Sequence, residues 1–259
     1  MVGRFCGEKG GEMEMIIKDL TFAYGDKIIF DNFNLEIPLG KVTCIMGASG
    51  GGKTTLLDCI AGKHQYQGKI IYGQNCMDLD MKTKIAYVFQ QPRLIPSMSV
   101  EKNIEFVLPK SMSKEEKGER VREVVEKFRL MDCKKSYPAN ISGGQASRTA
   151  LARAFAINRD VLLMDEPFKG LDIKLKKEIL DITVPLLKNK TVVFVTHDIE
   201  EALAVADIIY VLDREDGKGL SVVGEEEITL PKENRDLYCD EISKSRQKIF
   251  CCLTDSKIN

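Results

Sequence analysis

The run Gly47-Ala48-Ser49-Gly50-Gly51-Gly52-Lys53-Thr54, followed by Thr55, has the spacing of a phosphate-binding loop. Glycines let a backbone curl until its N–H groups point inward at phosphate oxygens. A helix that starts where such a loop ends offers its positive end to the same anion. Lys53 can bring a mobile positive charge to the β- and γ-phosphates, and the Thr54 hydroxyl can ligate Mg2+. The plain alternative is a glycine-rich turn with a chance lysine. The apolar run before the loop and the helical spacing after it argue against that.

A second group of residues closes the apolar run Val161-Leu162-Leu163-Met164-Asp165-Glu166. Acids at the C-terminal end of a strand, beside a phosphate loop, can hold a Mg2+ shell and polarise an attacking water. Asp165 is expected in the first role and Glu166 in the second; alone, the pair reads equally as a solvated acidic turn. Ser142-Gly143-Gly144-Gln145 precedes a helical run. It can be a second anion site at a helix N-terminus, or an ordinary N-cap. Of the two histidines, His197 directly follows an apolar run, at the edge where the phosphates should lie, and is expected to touch the γ-phosphate. His64 reads as a solvated loop residue.

These residues need elements to hold them. Val42–Met46 reads as a strand after the Pro38–Gly40 turn. Leu56, Leu57, Ile60 and Ala61 then fall on one helical face, and Gly62 is a natural stop. Further strands are expected at Met15–Lys18, Leu20–Tyr24, Asn34–Ile37, Lys69–Tyr72, Ile85–Phe89, Val161–Met164, Val192–Val195, Ile208–Leu212 and Leu220–Val223. Several are continuously apolar, as in a parallel sheet covered on both faces. The stretch 92–158 differs. It holds Pro92, Pro96 and Pro109, then a capping box at Ser113 and Glu116, then Val121, Val124, Val125 and Phe128 at helical spacing. A second helix is expected near Ser142, carrying Ala146, Ala150, Leu151, Ala154 and Phe155. A helical lobe therefore interrupts an α/β core. Residues 1–12 read as a frayed terminus, with Met13 or Met15 as a candidate start. The tail 225–259 is charged, with a helix expected near Asp240–Leu253.

Composition narrows the classes. Lys plus Arg total 38 against 39 Asp plus Glu, a net charge of −1, which gives no reason to expect nucleic acid as a partner. The longest apolar runs are far short of the ~20 residues of a membrane helix, and no secretory leader is recognisable. None of the eight cysteines forms a C-x-x-C pair, so reduced thiols, several of them buried, are expected rather than a zinc site.

Taken together, these motifs resemble those of the ATP-binding subunits of ABC transporters. The resemblance runs from about Met15 to Val223. It implies a P-loop α/β ATPase core, mostly a parallel sheet with an N-terminal antiparallel β part (13–91 and 159–224). It also implies an inserted helical subdomain (92–158), all within a single domain of 13–259. It implies that Tyr24 stacks on adenine and that Gly47–Thr54 is the Walker A loop. Gln90 is implied to touch Mg2+ and the water, with Thr54 and Asp165 completing the metal shell. Ser142–Gln145 matches the signature motif, and Asp165 with Glu166 the Walker B acids, Glu166 being the catalytic carboxylate. Asp172 matches the D-loop aspartate and His197 the switch histidine. The cofactors implied are ATP and Mg2+. The partners implied are a second ATPase subunit packed head to tail, integral-membrane permease subunits and, indirectly, a substrate-binding protein. The implied location is cytoplasmic, peripheral on the inner face of the cell membrane. Within the family the segments around Gln90 and His197 look most like the nitrate/sulfonate/taurine importers, and the stretch after His197 is too short for the extra β-domain of sugar-importer ATPases. An exporter, a lipoprotein-release ATPase or a soluble non-transport ABC ATPase would share the catalytic motifs. Departures are small: Ile141 stands where leucine is commoner, Ala146 where a longer side chain is frequent, and Lys169 where the D-loop usually has a small residue.

Overall fold

The computed structural model describes residues 14–72, 75–76, 85–214, 219–232, 235 and 238–255. The frayed terminus expected over 1–12, and Met13 as a start, lie outside the described residues.

Two sheets are built. Strands β1 (Glu14–Tyr24), β2 (Lys27–Pro38), β4 (Gln67–Tyr72) and β5 (Asn75–Cys76) form an antiparallel sheet of order β2-β1-β4-β5. Strands β3 (Val42–Gly47), β6 (Ile85–Val88), β7 (Val161–Asp165), β8 (Thr191–Val195), β9 (Ile208–Arg214) and β10 (Leu220–Glu227) form a six-stranded sheet of order β10-β9-β3-β8-β7-β6. Its pairings from β9 to β6 are parallel, and β10 runs antiparallel to β9.

The continuously apolar strands sort by alternation. Val42, Cys44 and Met46 of β3, Leu162 and Met164 of β7, and Val192 and Phe194 of β8 all face one apolar cluster. Ile45, Val161, Leu163, Val193 and Val195 face the other. Successive side chains of a strand point to opposite faces, so a strand buried on both sides needs apolar residues at every position. One cluster joins the sheet to the helical lobe. The other joins it to the antiparallel sheet and to helix α1 (Lys53–Ile60).

The lobe holds helices α2 (Val100–Glu105), α3 (Lys114–Lys127) and α4 (Gly143–Ala156). The Ser113–Glu116 box forms with both of its bonds, and Val124, Val125 and Phe128 are buried under it. Phe128 stacks on Phe155 of α4, ring centroids 5.8 Å apart. Helices α5 (Ile173–Leu186) and α6 (Ile199–Val205) are capped by Asp172 and Asp198. Helix α7 (Cys239–Asp255) is the tail helix and packs on α6, β9 and β10. Cys44, Cys59 and Cys133 are buried among apolar residues, as expected of small apolar thiols.

Several elements are longer or newer than the sequence suggests, helices α5 and α6 among the new ones. The expected strands 15–18 and 20–24 are one strand, β1, whose register slips between Ile17 and Leu20. The strand expected from Asn34 begins at Lys27, because the Gly25–Asp26 turn folds β2 back along β1. In the proline-rich stretch, Ser99 caps α2.

Candidate active site

The phosphate loop is held by a backbone that only glycine can adopt. Gly47 sits at φ 147°, and a Cβ there would lie 2.2 Å from the Leu212 carbonyl oxygen of β9. Gly52 sits at φ 111°, with Ile29 and Leu220 side-chain atoms 2.6 and 2.8 Å from where a Cβ would be. Any side chain at either position would clash and be strained. Gly52 is also the N-cap of α1, so the loop ends where the helix's free N–H groups begin.

Lys53 lies buried under the loop and donates to the carbonyls of Gly47 at 2.9 Å and Ala48 at 2.7 Å. Burial pushes its ammonium below the usual lysine range, while Glu166 and Asp165 pull it back up. Thr54 Oγ1 donates to Asp165 Oδ2 at 2.9 Å, joining the first turn of α1 to the end of β7. Asp165 is itself pushed up, first by burial and against the Thr54 bond. The two oxygens, with the Gln90 amide lining the same crevice, are a hard-donor set that fits Mg2+.

Glu166 is held in a left-handed conformation, φ 45°, and its N–H bonds the Val195 carbonyl at 2.9 Å. Such a conformation costs on the order of 1–3 kcal/mol and persists where the surroundings enforce it. The carboxylate meets three neighbours. His197 Nδ1 is 3.1 Å from Oε1; Lys169 Nζ at 2.6 Å and Gln90 Nε2 at 3.3 Å both reach Oε2. Burial opposes its charge, yet Lys169 and His197 outweigh burial and hold the carboxyl below the usual range.

Tyr24, Lys27, Ile29, Ser49, Gly50, Gly52, Lys53, Thr54, Thr55, Gln90, Asp165, Glu166 and Val195 line one crevice of about 320 Å³. Nearly all the residues expected to act on a single nucleotide thus come together, His197 joining through Glu166. Ser142, Gly143, Gly144, Gln145 and Asp172 do not line it. Ser142 and Gln145 form a reciprocal capping box at the start of α4, and Asp172 accepts from Leu175 N–H at 3.0 Å as the cap of α5. A larger groove of about 640 Å³ lies between α7 and β10 but holds none of these phosphate-binding groups.

His64 is a loop residue, as expected, but its side chain is only 25% exposed and is held by neighbours. Its Nε2 lies 2.9 Å from the Tyr24 hydroxyl, and its ring packs on Phe22 with centroids 4.8 Å apart. Lys27 is a crevice residue that the motifs do not mark. Its only signal is a cation on the turn just after Tyr24.

The sequence profile of the ABC transporter family matches residues 30–169, and the chain belongs to that family. It is 42% identical over 211 residues to the sulfate/thiosulfate import ATP-binding protein CysA of Synechocystis sp., covering 77% of this chain and 58% of that protein. It is 42% identical over 203 residues to the Fe(3+) ions import ATP-binding protein FbpC of Fusobacterium nucleatum, covering 76% of this chain and 54% of that protein. The chain therefore spans little more than half the length of these two relatives. Among solved structures, the dimeric ATP-binding cassette MJ0796, in a post-hydrolysis state bound to ADP and Pi, superposes with a TM-score of 0.73 at 33% identity. That match covers 84% of this chain and all of the other. The fold is thus the P-loop ABC ATPase cassette, with its antiparallel β part and helical lobe.

Proposed function

We propose that this chain is the ATP-binding and ATP-hydrolysing subunit of an ABC importer for a small solute. The observation that carries the proposal is the meeting of Lys53, Thr54, Gln90, Asp165 and Glu166 in one crevice of a cassette fold. The Gly47–Thr54 backbone and Lys53 hold the phosphates, and Tyr24 stacks on the adenine. Thr54, Asp165 and Gln90 hold Mg2+, which when bound draws charge from the phosphates. Glu166 orients water in line with the γ-phosphorus, and His197 touches the γ-phosphate. Catalysis is then positioning and charge stabilisation.

Ser142–Gln145 and Asp172 serve a neighbour. In a head-to-tail pair, each signature turn closes over the nucleotide of the other chain, so ATP glues the interface. The dimeric state of the ADP- and Pi-bound relative supports this arrangement. Loss of the shared phosphate opens the pair, and that opening drives permease subunits between inward and outward states. The location is peripheral, on the inner face of the cell membrane, with a substrate-binding protein acting at a distance. The cargo class we favour is the nitrate/sulfonate/taurine group. The sulfate/thiosulfate relative supports an oxyanion, and the Fe(3+) relative shows a similar cassette serving a different solute.

Glu166→Gln tests the core of the proposal. It keeps the shape and loses the carboxylate, so ATP binding should persist while turnover falls about 100-fold or more. Near wild-type turnover in a phosphate-release assay would remove Glu166 from catalysis.

A further inference from the structure

Lys169 stands three residues after Glu166, where its backbone N–H bonds the Glu166 carbonyl at 3.1 Å. The intervening Phe168 is fully buried, which anchors the turn. The lysine side chain is 51% exposed and the Glu166 side chain only 15%, so a solvent-side ammonium covers a sheltered carboxylate at 2.6 Å. With Gln90 on the same oxygen and His197 on the other, donors occupy both oxygens of the group proposed to receive water.

We propose that Lys169 is a positioning residue that restrains Glu166, and that the basal rate of ATP hydrolysis is set by how readily Lys169 swings clear. The inference rests on the reading of Glu166 as the group that orients water. Lys169 and Gln90 fill Oε2 and His197 takes part of Oε1, so three donors compete with a water proton for the roughly four acceptor sites of the carboxylate. Four charged or titratable groups face Glu166: Lys53 from α1, Asp165 from the end of β7, His197 after β8, and Lys169 itself. Lys53 and Asp165 are bonded to the phosphate loop and to Thr54 respectively. His197 and Lys169 both touch the carboxylate and both are exposed, at 63% and 51%; Lys169 has the longer, unbranched stem, so it can swing clear without moving the backbone.

The test uses the full chain with Lys169→Ala, Lys169→Arg, Glu166→Gln and the double variant Lys169→Ala/Glu166→Gln. Lys169→Ala should raise kcat several-fold at pH 7.5 and leave KM for ATP nearly unchanged. Lys169→Arg should keep the wild-type rate. The double variant should be as slow as Glu166→Gln alone. The proposal is overturned if Lys169→Ala is no faster than wild type. It is equally overturned if the same acceleration survives in the Glu166→Gln background. Near wild-type turnover by Glu166→Gln itself is a separate result, and it removes the underlying reading instead.

Discussion

Tyr24 leaves half of its surface open while its hydroxyl is tied to His64 and its ring edge rests on Phe22. An exposed aromatic pinned on two sides is a preformed stacking platform, and the pinning lowers the entropy lost when a base arrives. Tyr24→Ala should therefore cost on the order of 1 kcal/mol in ATP affinity. His64→Ala should cost part of that loss, and neither should change the affinity for tripolyphosphate, which has no base. Calorimetric titration of both ligands decides it; a normal ATP affinity for His64→Ala beside a weakened Tyr24→Ala would show that Tyr24 holds its pose unaided. The pairing spans 40 residues in sequence, so no local spacing could reveal it. Lys169 lies only three residues from Glu166 and was visible as a departure from the motif, but its target depends on the left-handed turn at Glu166. By contrast, the phosphate loop was legible in full, because its chemistry is carried by consecutive residues.

Helices and strands differ in how plainly they announce themselves. Helix α3 was legible from its capping box and α4 from its spaced apolar residues after Ser142; that Ser142 and Gln145 also form a box emerges only in the structure. The parallel strands were legible from unbroken apolar runs. Helix α2 lies between Pro96 and Pro109 and is only six residues long, too short to show a period. Helices α5 and α6 carry no marked glycine or proline at their starts; the signals that mark them are the caps Asp172 and Asp198. What no element pattern could show is how the lobe is joined to the site. Arg153 of α4 donates to the carbonyls of Pro92 at 2.9 Å and Arg93 at 3.0 Å, just after Gln90. Two charged hydrogen bonds thus tie the segment just after Gln90 to the helix that Ser142 caps. Arg153→Ala should cost about 1–2 kcal/mol of stability. It should also lower solute uptake in reconstituted vesicles far more than it lowers ATP turnover by the separate chain. Equal losses in the two assays would place Arg153 in folding alone.

At the scale of the molecule, the nucleotide crevice and the signature turn are parts of one chain that do not meet within it. The separate chain should therefore be a monomer without nucleotide, and Glu166→Gln with Mg-ATP should be a dimer, since the bridging ligand is not consumed. Ser142→Arg should abolish that dimer while leaving monomeric ATP binding nearly intact, because the added bulk lies away from the phosphate loop. Light scattering on the single and double variants reads this out; a dimer that survives Ser142→Arg would rule out the head-to-tail arrangement. A molecule proposed to pair reversibly with its copy must not adhere to it elsewhere, and β10 bears on that. Among the described residues it is an outer strand of the six-stranded sheet, broken in register between Val222 and Gly224 and ending in Glu225-Glu226-Glu227, with α7 packed against it. The opposite outer strand, β6, is only four residues long. An outer strand of regular length and neutral face is a template on which a second sheet can grow. A kinked, acidic border on one side and a stub on the other deny that template. Open-ended sheet growth between copies is thereby disfavoured at both borders, which suits the reversible, ATP-bridged pairing proposed above.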